Sequence, residues 1–349
     1  MTCILDMHKN SNMGELRSGN LGIQGARAPS SSVLKLWVPK NLRSSARRAA
    51  SRIVSYTELD HFIADFAGNL SQLKMAYAAS NSETEAKLSQ QFDCIVDQLT
   101  LANGVSKSTY ANRHASVLSA VLSAVRIPRS EIRVLDLPSS TGAASVGCLE
   151  QLQQSGYRVI SYVLGDKCHT ILFDPQRRCI FDEAGNLLQV GFKRFFFGLY
   201  RVGRLYDRHP ILIAVLSLPH RVMARYLRKR YPFTPVNAYQ RLSVIHPEVE
   251  RLIDRGVFTA QEMDVFQPIQ TQYDLILSFY LLHLGYFRAD AISVGIKNLA
   301  ASLRNYGLLI VGNAQGFVAL QKQDGSLVPQ LREGNWQSLG IDRWLTSCQ

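Results

Sequence analysis

The chain has 349 residues, of which 46% are hydrophobic and 9% aromatic, and a formal net charge of +12. That length and apolar content support a large buried core and exclude a disordered or fibrous chain. No apolar run reaches the roughly 20 residues that a bilayer-spanning helix needs, and the N-terminus lacks the unbroken apolar stretch of a secretory signal. Six cysteines (Cys3, Cys94, Cys148, Cys168, Cys179 and Cys348) include no C-x-x-C pair and no histidine partner at zinc spacing. Scattered thiols of this kind point to a reducing, cytoplasmic setting and to neither a disulfide framework nor a structural metal.

Residues 1–52 carry nine Lys/Arg against Asp6 and Glu15 and show no sustained period, which predicts a disordered basic tail. An organelle transit peptide would have the same composition, but no other feature points to an organelle. Residues 53–130 turn helical in pattern. YTELDHFIADF sets Leu59, Phe62, Ile63 and Phe66 on one face, and FDCIVDQLTLA and SVLSAVLSAV repeat the spacing. A helical N-terminal cap is expected there, with His61 and His114 as packing or surface residues.

From residue 131 strands and helices alternate. IRVLDL is a short buried strand, broken by Pro138 and followed by the turn SSTG. Ala143 to Gln154 is helical, YRVISYVL is a second strand, YDLILSF a third, Asp290 to Arg304 a helix, and Leu308 to Val311 a fourth strand after a turn at Asn305–Gly307. The alternation predicts an α/β fold with a doubly wound, mostly parallel sheet over 131–320. Ligands of such sheets bind beyond the carboxyl ends of the strands, where the strand order reverses. Asp136, the SSTG turn, Asp166 and the residues after Leu277 are expected at that edge.

An insert over 170–245 interrupts this pattern. TILFDPQRRCIFDEAGNLLQVGF reads as a hairpin or meander with turns at DPQRR and DEAGN. A basic helical segment follows, and residues 192–233 hold ten Lys/Arg, nine Phe/Tyr and one acid, Asp207. It reads as a cover with arginine stems lying over apolar surface, as a docking element for an anionic membrane, or as a nucleic-acid groove. The apolar run PILIAVLSLP favours an amphiphile over RNA. Residues 321–349 read as a C-terminal extension.

On these residues the stretch from about 132 to 312 resembles the Rossmann-like domain of class I S-adenosylmethionine-dependent methyltransferases. VLDLPSSTG is similar to their first motif, with Pro138 and Ser140 where the family has glycines. The resemblance implies S-adenosyl-L-methionine as cofactor, bound by Asp136, Pro138, Ser139, Ser140 and Gly142 of that loop. It further implies Asp166 on the ribose hydroxyls, Asp264 and Val265 of EMDVF beside the adenine, and Ser278 at the end of the fourth-motif strand. NAD(P) binding is the competitor within the fold, but it expects glycines at the loop and an acid about 20 residues beyond it.

Ser278-Phe279-Tyr280-Leu281 stands where the family's N-methylating members have a double proline, so a hydroxyl acceptor is expected. His283 and Tyr280 follow that strand and are the candidate catalytic residues, since a hydroxyl needs a base. His246, before Pro247 at a helix start, reads as a cap residue. The expected acceptor is a small molecule, a glycan or a lipid-linked compound. RNA methylation, and a non-catalytic protein that uses the basic insert to hold a membrane or RNA, are the alternatives. The expected location is cytoplasmic, with peripheral contact at the inner face of a membrane.

Overall fold

The computed structural model describes residues 66–78, 82–97, 99–101, 107, 112–192, 195–199, 210–234 and 239–341. All of them belong to the second of two compact units, Leu59–Gln349. The expected basic tail, the helix read from Tyr56 up to residue 65, His61, and the last eight residues lie outside the described residues.

A seven-stranded sheet forms the centre. Its strands are β1 (Glu131–Asp136), β2 (Arg158–Asp166), β8 (Thr259–Glu262), β9 (Tyr273–Phe279), β10 (Leu303–Gly312), β11 (Gly316–Gln323) and β12 (Ser326–Gly334). Their order is β12-β11-β10-β9-β1-β2-β8. The five strands from β10 to β8 run parallel, and β11 and β12 are joined antiparallel at the edge. The chain leaves β1 toward β2 and β8, then returns to β9 on the other side, so the order reverses between β1 and β9. This is a doubly wound, mostly parallel α/β fold of the Rossmann-like kind, as the alternation of strands and helices predicts.

Alternation along the strands builds two cores. Val134, Leu275, Leu277, Leu308 and Ile310 face helices α3 (Ala115–Ala124) and α4 (Ala143–Gln154). Leu135, Ile276, Leu309 and Val311 face α7 (Ala289–Ala301). With both faces covered, β9 is buried at every position, which is why YDLILSF reads as a continuous apolar run.

The insert is larger than a hairpin. It is a five-stranded antiparallel sheet in the order β6-β5-β4-β3-β7, made of β3 (Thr170–Asp174), β4 (Cys179–Phe181), β5 (Leu187–Phe192), β6 (Phe195–Gly198) and β7 (Gln240–Ser243). Period-two alternation sends Ile171, Phe173 and Ile180 to one face, against α1 (Phe66–Ala78) and α2 (Ser82–Val96). Leu172, Cys179 and Phe181 go to the other face, where Ala224 and Leu227 of α5 (Pro210–Arg230) cover them.

Three further details differ from the sequence expectations. The helix expected over 92–102 lies at Ser82–Val96, because Leu99 turns back to accept a backbone bond from Lys107 at 3.3 Å. The turn at Asn305–Gly307 is a bulge inside β10: Leu303 pairs with Tyr273, register shifts before Leu308, and Tyr306 takes φ 61°. The main sheet also runs past residue 320, since β11 and β12 extend it.

Candidate functional site at the strand ends

β1 and β2 end in Asp136 and Asp166 at the carboxyl edge, with Asp136 paired to Leu164 and Asp166 two residues beyond it, and both acids are buried. Between β1 and α4 the chain makes the Leu137–Ser140 turn. The Leu137–Pro138 peptide is cis, and Ser140 has φ 57°. Ser139 donates its backbone N–H to Gly165 O at 2.8 Å, and Ser140 donates its own to Asp166 Oδ2 at 2.8 Å. The turn therefore leans on the end of β2.

Gly142 opens α4 at φ 80°, and a Cβ there would lie 2.9 Å from Val249 Cγ1 and 3.3 Å from Leu164 Cδ1. Both the left-handed backbone and the space call for glycine at this one position. Val249 belongs to α6 (Pro247–Asp254), whose N-cap is His246, as expected. His246 Nδ1 accepts from Glu248 N–H, and its ring stands edge-on to Phe92.

Asp136 accepts a bond from Ser145 Oγ at 2.6 Å, and burial pushes its carboxyl up to about 7. Asp166 is held by three donors: Lys107 Nζ and Cys168 N–H on Oδ1, each at 3.0 Å, and Ser140 N–H on Oδ2. Beside it, His169 Nε2 lies 3.3 Å from Ser139 Oγ, and burial lowers that imidazole to about 4.

Asp264 follows β8, next to Asp166 through the backbone bond from Met263 N–H to Asp166 O. Burial opposes its charge, but the Phe266 N–H and the Lys167 ammonium at 3.0 Å hold the carboxyl below its ordinary value. Asp264, Glu262, Met263 and Gln267 line a shallow depression of about 350 Å³. Val265 is buried behind it against Leu135, Leu137 and Leu282. Ser278, fully buried in β9, has an Oγ without a hydrogen-bond partner.

His283 and Tyr280 fall in a separate cluster further along the edge. Tyr280 takes φ 60° and donates its N–H to Gly312 O. The Arg113 guanidinium sits 3.7 Å above its ring, and His114 stacks on Phe279 at 4.2 Å. His283 Nδ1 accepts from Gly285 N–H at 3.1 Å, its ring lies 4.0 Å from that of Tyr286, and burial lowers its pKa. The residues between α2 and α3 thus supply Lys107 to one cluster and Arg113 and His114 to the other. Lys107 and Arg113 carry no sequence signal, because single cations in LANGVSKSTYANRHAS have no spacing pattern. Ser145 is also absent from the sequence expectations, although a hydroxyl on the first turn of the helix that follows β1 is a signal that could have found it.

No family model and no curated protein matches the chain. Among solved structures it is similar to the mitomycin 7-O-methyltransferase MmcR, at 12% identity and a TM-score of 0.26 over 57% of this chain and 35% of that one. It is similar to the N-methyltransferase NodS from Bradyrhizobium japonicum WM9, solved with S-adenosyl-L-homocysteine, at 13% identity and 0.25 over 57% and 59%. The O-methyltransferase NcsB1 from neocarzinostatin biosynthesis, solved with S-adenosyl-L-homocysteine and 1,4-dihydroxy-2-naphthoic acid, matches at 10% and 0.24 over 56% and 38%. The match spans 35% to 59% of these proteins, under two thirds of each.

Proposed function

We propose that the chain transfers a methyl group from S-adenosyl-L-methionine to a hydroxyl of a small-molecule acceptor. One observation carries this reading: two carboxylates, Asp136 and Asp166, end adjacent central strands beside the reversal of strand order, with a turn of small residues between them. That donor set fits the cofactor in kind. A ribose diol calls for an acceptor such as Asp166, an adenine amino group for one such as Asp264, and a sulfonium for nearby carboxylates rather than a phosphate cradle.

When bound, the cofactor supplies the activated methyl group, and the protein's part is alignment and exclusion of water. Asp166 takes the ribose hydroxyls. Asp136 fixes the Pro138–Gly142 turn through Ser145, with Ser139 and Ser140 as its walls. Asp264 and Val265 flank the adenine, and Ser278 closes the floor at β9. On the acceptor side, burial keeps His283 neutral near pH 7, as a base requires. His283 Nδ1 accepts from Gly285 N–H, so the neutral ring carries its proton on Nε2; to take a proton there it must change tautomer and give up the Gly285 bond, and Tyr280 is the alternative base.

A peripheral contact with an anionic membrane, at the cytoplasmic face, is supported by α5. Leu218, Val222 and Tyr226 are 58%, 61% and 59% exposed. Arg221, Arg225, Arg228, Lys229 and Arg230 are exposed beside them, and the helix has no acid. No helix among the described residues is long and apolar enough to cross a membrane. A glycan or lipid-linked acceptor belongs to the same reading of that face.

A second reading, a non-catalytic protein of this fold, is favoured by the Lys107–Asp166 contact, because the acid is already bonded within the chain. Titration calorimetry with S-adenosyl-L-homocysteine separates the two, followed by transfer of labelled methyl from S-adenosyl-L-methionine to a panel of hydroxylic acceptors. Saturable heat and labelled product support the enzyme; absence of both supports the second reading.

A further inference from the structure

We infer that Lys107 is a built-in competitor for the ligand of Asp166, so that a vicinal diol reaches that carboxylate only as the ammonium leaves it. This rests on Asp166 being the diol-binding acid proposed above.

A carboxylate presents about four lone-pair sites. In Asp166, Oδ1 accepts from Lys107 Nζ and from Cys168 N–H, and Oδ2 accepts from Ser140 N–H. Three sites are filled, and a diol brings two O–H donors. One donor must go.

The two backbone donors belong to fixed structure: Cys168 lies two residues beyond the end of β2, and Ser140 sits in the turn that Ser139 ties to Gly165. Lys107 reaches the acid on a flexible four-carbon stem, so it is the partner able to move. Its ammonium also donates to Ser140 O at 3.3 Å, so it holds both the acid and the turn that leans on it. The side chains of the pair are 1% and 7% exposed, so the contact is dry and water does not screen it. An ammonium so buried stays on its carboxylate unless another group takes over. Ligand entry is thus an exchange of partners at Asp166, and the apparent affinity is reduced by the fraction of molecules in which Lys107 holds the acid.

Two measurements test this. The first is calorimetric titration of S-adenosyl-L-homocysteine into the wild type, Lys107→Met and Asp166→Asn, with thermal melts to check folding. Lys107→Met should bind at least about tenfold more tightly than the wild type, while Asp166→Asn binds more weakly. The second uses the wild type alone: acetylation of Lys107, followed by peptide mapping, should be slow in the free protein and several-fold faster with S-adenosyl-L-homocysteine. Equal or weaker binding by a folded Lys107→Met, or acetylation of Lys107 that the ligand leaves unchanged or slows, would overturn the competitor role alone. No binding by the wild type or by a folded Lys107→Met would overturn the diol reading of Asp166, and the competitor role with it.

Discussion

Ser145 donates its hydroxyl to the Asp136 carboxylate at 2.6 Å beneath the turn that follows β1. Burial nevertheless pushes that carboxyl up to about 7 from an ordinary 3.8, against the Ser145 bond and with help from the Asp166 charge. Between those values the folded chain binds more protons at this site than the unfolded chain. This group's contribution to stability is therefore full below about pH 4 and falls as the pH rises toward about 7. Asp136→Asn removes the titration, so its melting temperature should change less than the wild type's across that range. Parallel pH profiles of the two proteins check this.

Removing Asp166 should act on stability and binding together. Asp166→Ala leaves the Lys107 ammonium buried without its partner, which costs about 3–5 kcal/mol in comparable pairs. Loss of the diol's acceptor should weaken S-adenosyl-L-homocysteine by about 1–3 kcal/mol, roughly 5- to 150-fold. Denaturant melts and calorimetry measure the two effects separately. A variant with wild-type affinity would take Asp166 out of the site.

On the acceptor side, His283→Ala should lower turnover while leaving the cofactor's dissociation constant unchanged. With His283 as base, the rate of the wild type should rise through an apparent pKa below that of free imidazole, because burial lowers the group. Turnover equal to the wild type's would shift the role to Tyr280, and Tyr280→Phe would then show the loss.

The outer face of α5 sets a separate expectation. Binding to anionic vesicles should exceed binding to neutral ones and weaken with salt, since exposed charges are screened beyond about 10 Å at 0.1 M. Replacing Arg225, Arg228, Lys229 and Arg230 with Gln should remove the salt-sensitive part, each cation being worth on the order of 1 kcal/mol. Replacing Leu218, Val222 and Tyr226 with Ser should remove the remainder. Vesicle sedimentation gives both, and oligonucleotide binding without vesicle binding would assign the face to nucleic acid.

The parallel sheet was legible because its strands are buried on both faces and leave unbroken apolar runs, as YDLILSF does. The edge strand β8 was not: TAQE is mostly exposed and polar, so it carries no apolar period. The insert's hairpin turns were readable, but β7 returns from Gln240 to pair with β3 across a long span that no local pattern encodes. At the site, Asp136 and Asp166 could be named because strand ends are predictable from strands. Lys107 could not, since it reaches Asp166 from 59 residues away in sequence through a segment without periodicity.

We propose that S-adenosyl-L-methionine binds at the ends of β1, β2 and β8. Ultraviolet crosslinking of methyl-labelled S-adenosyl-L-methionine to the wild type and to Lys107→Met, with peptide mapping, tests it most directly. Label should fall on the peptides that carry Pro138–Gly142 or Glu262–Phe266, more strongly in Lys107→Met, and excess S-adenosyl-L-homocysteine should abolish it. Label confined to other peptides, or no competable label in either protein, would contradict the claim.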